Sequence, residues 1–409
     1  MRLRFLGNPA EVGPESLILH NKGATLGFEY GMKASKPPEY PNPSPPVDYL
    51  FLSHCHLDHS GMIPVLAAKY DTGIVSTPLT IDITEILLYD SLKIAGYEGY
   101  PQPYNKADIN TTMRNHIPMT FGEAVDVAGF EIVMHSAGHI PGAAMYELKG
   151  DRTTLFTGDI HTYNTKLVWG AHPVKCDNLI IEATYAGRDH PDRAVSEKAL
   201  VDKVHEVIER GGKVVIPSFA VGRTQEMMLM LKDLDYDKWV DGMGKSVTRF
   251  YLDYPEYLRS AKQLRQAKRA FKEVRSQAMR RRASEADIIV STGGMLDGGP
   301  AVSYIRNIKD DPKSAILLTG YQAEETNGRL LMETGTMDLG DGPERIAPEV
   351  VKFDFSAHAG HSELLKFIRA CDPENVVLWH SDQPEVLAKD IEGERNVILP
   401  KHDETFELV

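Results

Sequence analysis

Short apolar and β-branched runs alternate with turn residues over the first 185 positions. The apolar segment Val47–Leu52 follows the proline-rich turn Asn42–Pro46, and further β-prone runs cover Phe130–Ser136 and Thr153–Thr157. Runs of this length and composition predict strands, and Ser60–Lys69 is predicted to be helical. This part of the chain is therefore predicted to consist mainly of short strands joined by turns.

From about residue 190 the pattern changes to strands that alternate with helices. The predicted elements are strands at Lys213–Ile216, Asp287–Ser291 and Ser314–Thr319 and a helix at Arg223–Leu234. Such alternation favours a parallel sheet with helical crossovers. Beyond residue 345 a helix is predicted at Ser362–Arg369 and a buried strand at Asn375–Trp379. We expect an inserted domain at 190–345, flanked by 1–189 and 346–409.

Composition supports two domains and an intracellular enzyme. At 409 residues the chain exceeds the size at which one hydrophobic core stops growing. No run approaches the roughly 18 apolar residues of a membrane span, and Met1–Gly13 lacks a signal-peptide core. The cysteines, Cys55, Cys176 and Cys371, are odd in number and lack C-x-x-C spacing. We therefore expect a cytoplasmic protein with neither a disulfide framework, a thiolate zinc site nor a membrane partner.

Three histidines and an aspartate lie within six positions directly after Val47–Leu52: His54, His56, Asp58 and His59. An extended chain points alternate side chains the same way, so His54 and His56 can bind one ion. Asp58 and His59 would then face a second ion. Imidazole nitrogens with carboxylate oxygens suit zinc better than magnesium or calcium. A polar turn that happens to be rich in histidine is the alternative.

Two later residues extend this candidate metal site. His139 follows the strand predicted at Phe130–Ser136, and Asp159 follows the one at Thr153–Thr157. His139 could complete the shell of the first ion, and Asp159 could bridge two cations. Either residue alone is more typical of a capping or surface position. Together with the first run, they become predicted ligands of a dinuclear centre.

These six residues resemble the metallo-β-lactamase superfamily, whose signature is His-x-His-x-Asp-His with a later His and a later Asp. Further segments are similar to the ordered motifs of the β-CASP nucleases, over nearly the whole chain. They are Ile181–Tyr185, Pro217–Arg223, Gly294–Pro300, Gly320–Glu324, Phe355–His358 and Trp379–His380. The chain resembles archaeal and bacterial homologues of the endonuclease subunit of the cleavage and polyadenylation specificity factor more than RNase J.

The resemblance implies an αββα metallo-β-lactamase sandwich with an inserted β-CASP domain and an active site in the interdomain cleft. Residues 346–409 would return to the first domain. The resemblance also implies two Zn²⁺ per chain. His380 would complete the second ion's shell beside Asp58 and His59.

Three more roles come from the same resemblance. His358 is the expected general acid, and Glu182 would keep it protonated and oriented. With Asp58 they form the predicted catalytic set. Glu29 takes the place of the aspartate that usually supports a ligand histidine from behind. A longer carboxylate fits there only if its loop shifts.

A basic stretch runs from Arg259 to Arg282 in a chain whose net charge is −13, with ten basic residues against Glu273 alone. Apolar residues recur in it at helical spacing, which predicts one amphipathic helix. The candidate RNA contacts are Arg265, Lys268, Arg269 and Lys272. Such contacts would release counterions and make binding sensitive to salt. An ordinary solvated helix face is the alternative.

The predicted function is zinc-dependent hydrolysis of RNA, most simply by an endonuclease of the mRNA 3′-end processing type, and an additional 5′-to-3′ exonuclease activity is left open. An exoribonuclease of the RNase J type is an alternative. A catalytically weak RNA-binding scaffold, a small-molecule metallo-hydrolase and a DNA repair nuclease are others. Single-stranded RNA is the expected partner, and a homodimer is left open.

Overall fold

The computed structural model describes residues 1–340 and 342–408. The chain divides into two compact units. Unit 1 comprises Met1–Asn164, Trp169–Asp189 and the residues from Ala357 onwards, and unit 2 comprises Thr165–Val168 and His190–Ser356. The sequence placed the second boundary at residue 346. The chain stays in unit 2 for longer because residues 349–352 form a strand that pairs within the sheet of that unit.

The strands are numbered in chain order. In unit 1 they begin with β1 Arg2–Phe5, β2 Leu17–Asn21, β3 Ala24–Phe28, β4 Tyr49–Phe51, β5 Gly73–Ser76, β6 His116–Pro118, β7 Ala124–Val127, β8 Phe130–Ser136, β9 Ala144–Lys149, β10 Thr153–Phe156 and β11 Asn178–Glu182. Unit 2 holds β12 Val214–Ser218, β13 Lys238–Asp241, β14 Lys272–Glu273, β15 Ile288–Thr292, β16 Ala315–Leu318, β17 Thr336–Asp338, β18 Pro343–Arg345 and β19 Glu349–Lys352. Unit 1 resumes with β20 Asn375–Trp379, β21 Asn396–Ile398 and β22 Thr405–Glu407.

The helices are numbered in the same way. Unit 1 begins with α1 Leu57–Ser60, α2 Ile63–Tyr70, α3 Pro78–Glu98 and α4 Lys106–Arg114. Unit 2 holds α5 Arg193–Glu209, α6 Arg223–Leu231, α7 Gly244–Asp253, α8 Ala261–Ala270, α9 Gln277–Ala283, α10 Pro300–Ile308 and α11 Asn327–Thr334, with a 3₁₀ turn at Pro255–Tyr257. Unit 1 ends with α12 His361–Cys371 and α13 Pro384–Ile391. In the described part of the chain, no helix combines the length and apolar character that a membrane crossing needs.

Unit 1 is built on two seven-stranded sheets, ordered β22-β1-β2-β3-β4-β5-β6 and β21-β20-β11-β10-β9-β8-β7. Aromatic side chains from both sheets meet in one core. The rings of Phe28 and Phe156 lie 4.8 Å apart, and Trp379 lies 5.2 Å from Phe156 and 5.6 Å from Phe5. Tilted contacts at these distances stabilise a core beyond simple burial.

The first sheet also has a helical layer. Phe51 belongs to the core between the sheets, whereas its neighbours Leu50 and Leu52 pack in a second cluster with Ile63 of α2 and Leu88 of α3. Successive side chains of a strand point to opposite faces, so β4 is buried on both. Strands β10, β11 and β20 of the second sheet are parallel, which brings their carboxyl ends to one edge.

Unit 2 is a six-stranded parallel sheet in the order β14-β13-β15-β12-β16-β19, with β17 and β18 as a separate antiparallel pair. Its core includes Val215, Ile289 and Ile316 from the sheet and Ile305 from α10. The alternation of strand and helix predicted this sheet. The predicted fold class, a sandwich carrying a second domain with a parallel sheet, is confirmed.

The prediction of one basic helix from Arg259 to Arg282 is wrong. The segment forms α8, then the short strand β14, then α9. Strand β14 extends the sheet by pairing with β13, where Lys272 lies opposite Trp239. The apolar residues Phe271 and Val274 are buried there. The spacing of these residues fits a helix. The segment forms a strand instead because it can pair with β13, which is distant in sequence.

Candidate metal centre

The segment from His54 to His59 follows β4 and enters α1 at Leu57. His54 and His56 precede the helix, whereas Asp58 and His59 lie within it. The loop after β3 packs its backbone directly on this run. Tyr30 N–H donates to the His59 carbonyl at 2.8 Å. A Cβ added at Gly31 would lie 1.6 Å from the Asp58 carbonyl oxygen. Only glycine fits this close approach, which fixes the turn that presents the ligands.

The first cluster consists of His54, His56, His139 and Asp159. His56 Nδ1 lies 3.0 Å from His54 Nε2 and 3.2 Å from His139 Nε2. Asp159 Oδ2 lies 3.4 Å from His54 Nε2 and 3.6 Å from His139 Nε2. Ligand atoms around a tetrahedral zinc are about 3.3 Å apart, given zinc–nitrogen bonds of about 2.0 to 2.1 Å. These four side chains therefore fit a zinc ion.

Two of these histidines, His54 and His139, use Nδ1 for outer hydrogen bonds, which leaves Nε2 to face the cluster. His139 Nδ1 donates to the Ala357 carbonyl at 2.8 Å, because a carbonyl can only accept, so Nε2 keeps its lone pair. His54 Nδ1 pairs with the Ser53 hydroxyl at 2.9 Å. Such outer partners orient ligand imidazoles. Burial holds the pKa values of both well below that of an ordinary histidine, so the neutral form is favoured.

The second cluster consists of Asp58, His59 and His380. Asp58 Oδ2 lies 3.8 Å from His59 Nε2 and 3.6 Å from His380 Nε2, and Asp159 Oδ1 lies 3.4 Å from His59 Nε2. Neither ring nitrogen of His59 nor Nε2 of His380 has a hydrogen-bond partner within the described residues, although both rings are buried. Buried polar atoms of this kind are normally satisfied. A cation would satisfy them, and Asp159 touches both clusters.

The electrostatics of the second cluster differ from those of the first. Burial alone would lower the pKa of His59, but Asp159 and Asp58 outweigh it and raise that pKa well above the ordinary value. Burial is likewise outweighed at His380, where Asp159 and Glu15 raise the pKa to about 10. Negative charge therefore dominates here, and positive charge is stabilised.

His358 and Glu182 lie beside both clusters. His358 Nδ1 contacts Glu182 Oε1 at 2.9 Å, and His358 Nε2 lies 3.8 Å from Asp159 Oδ2. Glu182 ends β11 and also accepts the N–H groups of Ile160 and Thr184. Burial opposes protonation of His358, but Glu182 and Asp159 outweigh it and raise its pKa. The ring is a fifth exposed, at 20%, so it can reach a substrate.

The carboxylate of Glu29 lies next to His59, on the side of Nδ1. Its Oε1 is 3.8 Å from His59 Nδ1, a contact between charges rather than a hydrogen bond. Its carboxylate accepts the Ser53 N–H at 3.1 Å. Glu29 and His380 both adopt left-handed backbone conformations, with φ of 58° and 53°. Such strain in residues other than glycine is typical of functional sites.

Two residues of this site were missed from the sequence. Thr184 accepts from His380 Nδ1 at 3.1 Å and donates to the His380 carbonyl at 3.1 Å. Glu15 is buried with its Oε1 3.7 Å from His380 Nε2, and burial raises its pKa to about 8. Thr184 lies within Ile181–Tyr185, one of the segments that resemble the β-CASP motifs. Glu15 lies outside those segments, so no sequence pattern assigned it to the site.

The candidate RNA contacts lie in unit 2, around a surface cavity of about 510 Å³ whose lining includes Arg265, Lys268, Arg269 and Lys272. Lys272 is neutralised by Asp237 at 2.7 Å. Within the described residues, Arg265, Lys268 and Arg269 form no ion pair. The structure thus groups all four predicted cations and leaves three of them uncompensated.

Comparison with known families assigns the chain in three consecutive parts. Residues 42–218 match the metallo-beta-lactamase superfamily, residues 224–331 match the Beta-Casp domain, and residues 343–400 match the Zn-dependent metallo-hydrolase RNA specificity domain. A crystal structure of a protein of unknown function from Enterococcus faecalis has the same fold. The two structures superpose with a TM-score of 0.64 and share 16% sequence identity. The match covers 100% of this chain and 99% of the other.

Curated relatives are similar over almost the entire chain. The probable RNase MJ4 of Methanocaldococcus jannaschii is 37% identical over 94% of each chain. RNase aCSPSF2 of Saccharolobus solfataricus is 34% identical over 99% of this chain and 85% of its own. The transcription termination factor FttA of M. jannaschii is 33% identical over 95% of this chain and 68% of its own. The chain therefore belongs to the β-CASP family of the metallo-β-lactamase superfamily.

Proposed function

We propose that this protein is a zinc-dependent ribonuclease that cuts RNA internally at a centre for two cations. The observation that carries the proposal is the convergence on Asp159 of four buried imidazoles, those of His54, His59, His139 and His380. Among the described residues, neither ring nitrogen of His59 has a hydrogen-bond partner. The similarity to proteins named as RNases supports RNA as the substrate. The RNA specificity domain matched by residues 343–400 supports the same substrate.

The first cation would be held by His54, His56 and His139, the second by Asp58, His59 and His380, and Asp159 would lie between them. When bound, two zinc ions activate a water molecule and neutralise charge on the phosphoryl oxygens of the substrate. The role of the protein is to hold the donor atoms in place. Thr184, Ser53 and the Ala357 carbonyl do so through the outer nitrogens of the histidines.

His358 would donate a proton to the departing oxygen of the cleaved strand. Glu182 accepts from Nδ1, which leaves Nε2 as the nitrogen that delivers the proton. Two backbone N–H groups hold Glu182 itself, so the pair is oriented before substrate binds. The raised pKa of His358 favours its protonated form, as a general acid requires.

The general acid is tested with RNA that carries sulfur at the leaving position, since a thiolate leaves without a proton. His358→Ala should retain its metal and slow cleavage of ordinary RNA by about 100- to 10,000-fold. The deficit should narrow on the sulfur substrate. His135→Ala is the matched control, because His135 pairs with Glu147 at 2.8 Å outside the centre. An equal deficit on both substrates would refute the assignment.

Internal cutting is tested with a circular RNA beside a linear copy labelled at its 5′ end. An endonuclease opens the circle, because it needs no free end. An enzyme that releases labelled mononucleotides from the linear RNA and leaves the circle intact is a 5′-to-3′ exonuclease. That outcome would replace the endonuclease proposal by the RNase J type of activity.

A further inference from the structure

Glu15 lies beside the second cluster in the loop between β1 and β2, with its side chain 2% exposed. Its backbone N–H donates to the Asp58 carbonyl at 2.8 Å, and its own carbonyl accepts the Gly31 N–H at 2.8 Å. The position of Glu15 is therefore set by backbone contacts to the run that carries the ligands. Its carboxylate is thereby held next to His380.

An unused nitrogen faces this carboxylate. His380 Nε2 lies 3.7 Å from Glu15 Oε1 and 3.6 Å from Asp58 Oδ2, and has no hydrogen-bond partner among the described residues. The other nitrogen, Nδ1, is held by Thr184 at 3.1 Å. The Gly13 N–H reaches Glu15 Oε1 only at 3.4 Å. The nitrogen and the two carboxylate oxygens are too far apart for hydrogen bonds, so a cation placed among them could bind all three.

We propose that Glu15 is a further ligand of the second cation and makes that site richer in oxygen than the first. This inference rests on the two-cation centre of the proposed function. The first site offers three imidazoles and one carboxylate. The second offers two imidazoles with the carboxylates of Asp58, Glu15 and the shared Asp159. Carboxylate ligands suit manganese, whereas imidazole suits zinc. The second site therefore accepts Mn²⁺ more readily than the first.

The test is equilibrium binding of Zn²⁺ and Mn²⁺ to the metal-free full chain, with free manganese followed by its electron paramagnetic resonance signal. Glu15→Gln keeps the shape of the side chain and removes its charge. The second cation should bind about 10- to 100-fold more weakly, with a larger loss for manganese than for zinc. Binding of the first cation should not change.

Glu147→Gln is the matched control, because Glu147 is a carboxylate of unit 1 that contacts His135 instead of the centre. His380→Ala should weaken the same second site. Unchanged binding of the second cation by Glu15→Gln overturns the inference. If that variant does not fold, Glu15→Asp replaces it, and binding equal to wild type then counts against the role. A wild-type chain that binds fewer than two cations contradicts the proposed centre itself.

Discussion

Two buried aspartates, one in each unit, lie at or just after the end of a strand, but they differ in how their carboxylates are paired. Asp241 in unit 2 is fully paired: it accepts from Arg280 at 2.7 Å, Tyr304 at 3.0 Å and Lys245 at 3.1 Å. Asp159 in unit 1 has one oxygen, Oδ1, that forms no hydrogen bond within the described residues. A carboxylate neutralised by the protein's own cations stabilises the fold, whereas one that is left open needs a cation from outside.

The largest difference should appear when zinc is added. A ligand that binds only the folded state stabilises it by about 4 kcal/mol at 1,000 times its dissociation constant. Asp159→Asn should lose most of this gain, because Asp159 touches both clusters. Asp241→Asn should keep it. The measurement is urea denaturation with and without zinc. Equal gains in the two variants would contradict the contrast.

Without metal, the order of the variants should reverse. Asp241→Asn leaves the partly buried cations Arg280 and Lys245 without their counterion. Breaking a buried pair from one side costs about 3 kcal/mol. Asp159→Asn should cost less, since the histidines around it can lose their protons. Urea denaturation in the presence of a chelator checks this. A larger loss for Asp159→Asn would mean that its role in the fold outweighs its role in the site.

Acid should remove part of the contribution of Asp241. Burial would raise its pKa, but the hydrogen bonds from Arg280, the Gly242 N–H and Lys245 outweigh burial and lower it. A lowered folded-state pKa contributes stability above the ordinary carboxyl value, and this stability is lost as pH falls through the folded value. The gap between wild type and Asp241→Asn should therefore shrink below about pH 4. Metal-free denaturation curves at pH 6 and pH 3.5 measure it, and a constant gap would refute it.

The sequence predicts features that depend on neighbouring residues better than features that depend on contacts between distant ones. The run from His54 to His59 carries its chemistry in its own spacing, and the predicted strand at Asn375–Trp379 agrees with β20 to the residue. The acid Asp237, which neutralises Lys272, lies 35 positions from it, so charge counting along the basic stretch missed it. Glu15 was missed for the same reason, because only the folded loop brings it to His380.

The smallest expected effect applies the same contrast to RNA binding. Arg265 and Lys268 have no ion pair in the described structure, whereas Lys272 is paired with Asp237 and Arg275 with Glu273. Each phosphate contact on single-stranded RNA contributes about 0.7 to the slope of log affinity against log salt. Replacing Arg265 and Lys268 by glutamine should therefore flatten that slope by about 1.4.

The matched double variant replaces Lys272 and Arg275 by glutamine and removes the same formal charge. It should flatten the slope by less, because Lys272 is paired with Asp237 and Arg275 shares Glu273 with Arg249. Binding is best measured in the His358→Ala background, so that RNA stays intact during the titration. Equal changes in slope would mean that net charge alone governs binding. An unchanged slope in both variants would mean that the segment is an ordinary solvated surface. Unpaired cations that contacted phosphates would release counterions and contribute to the slope.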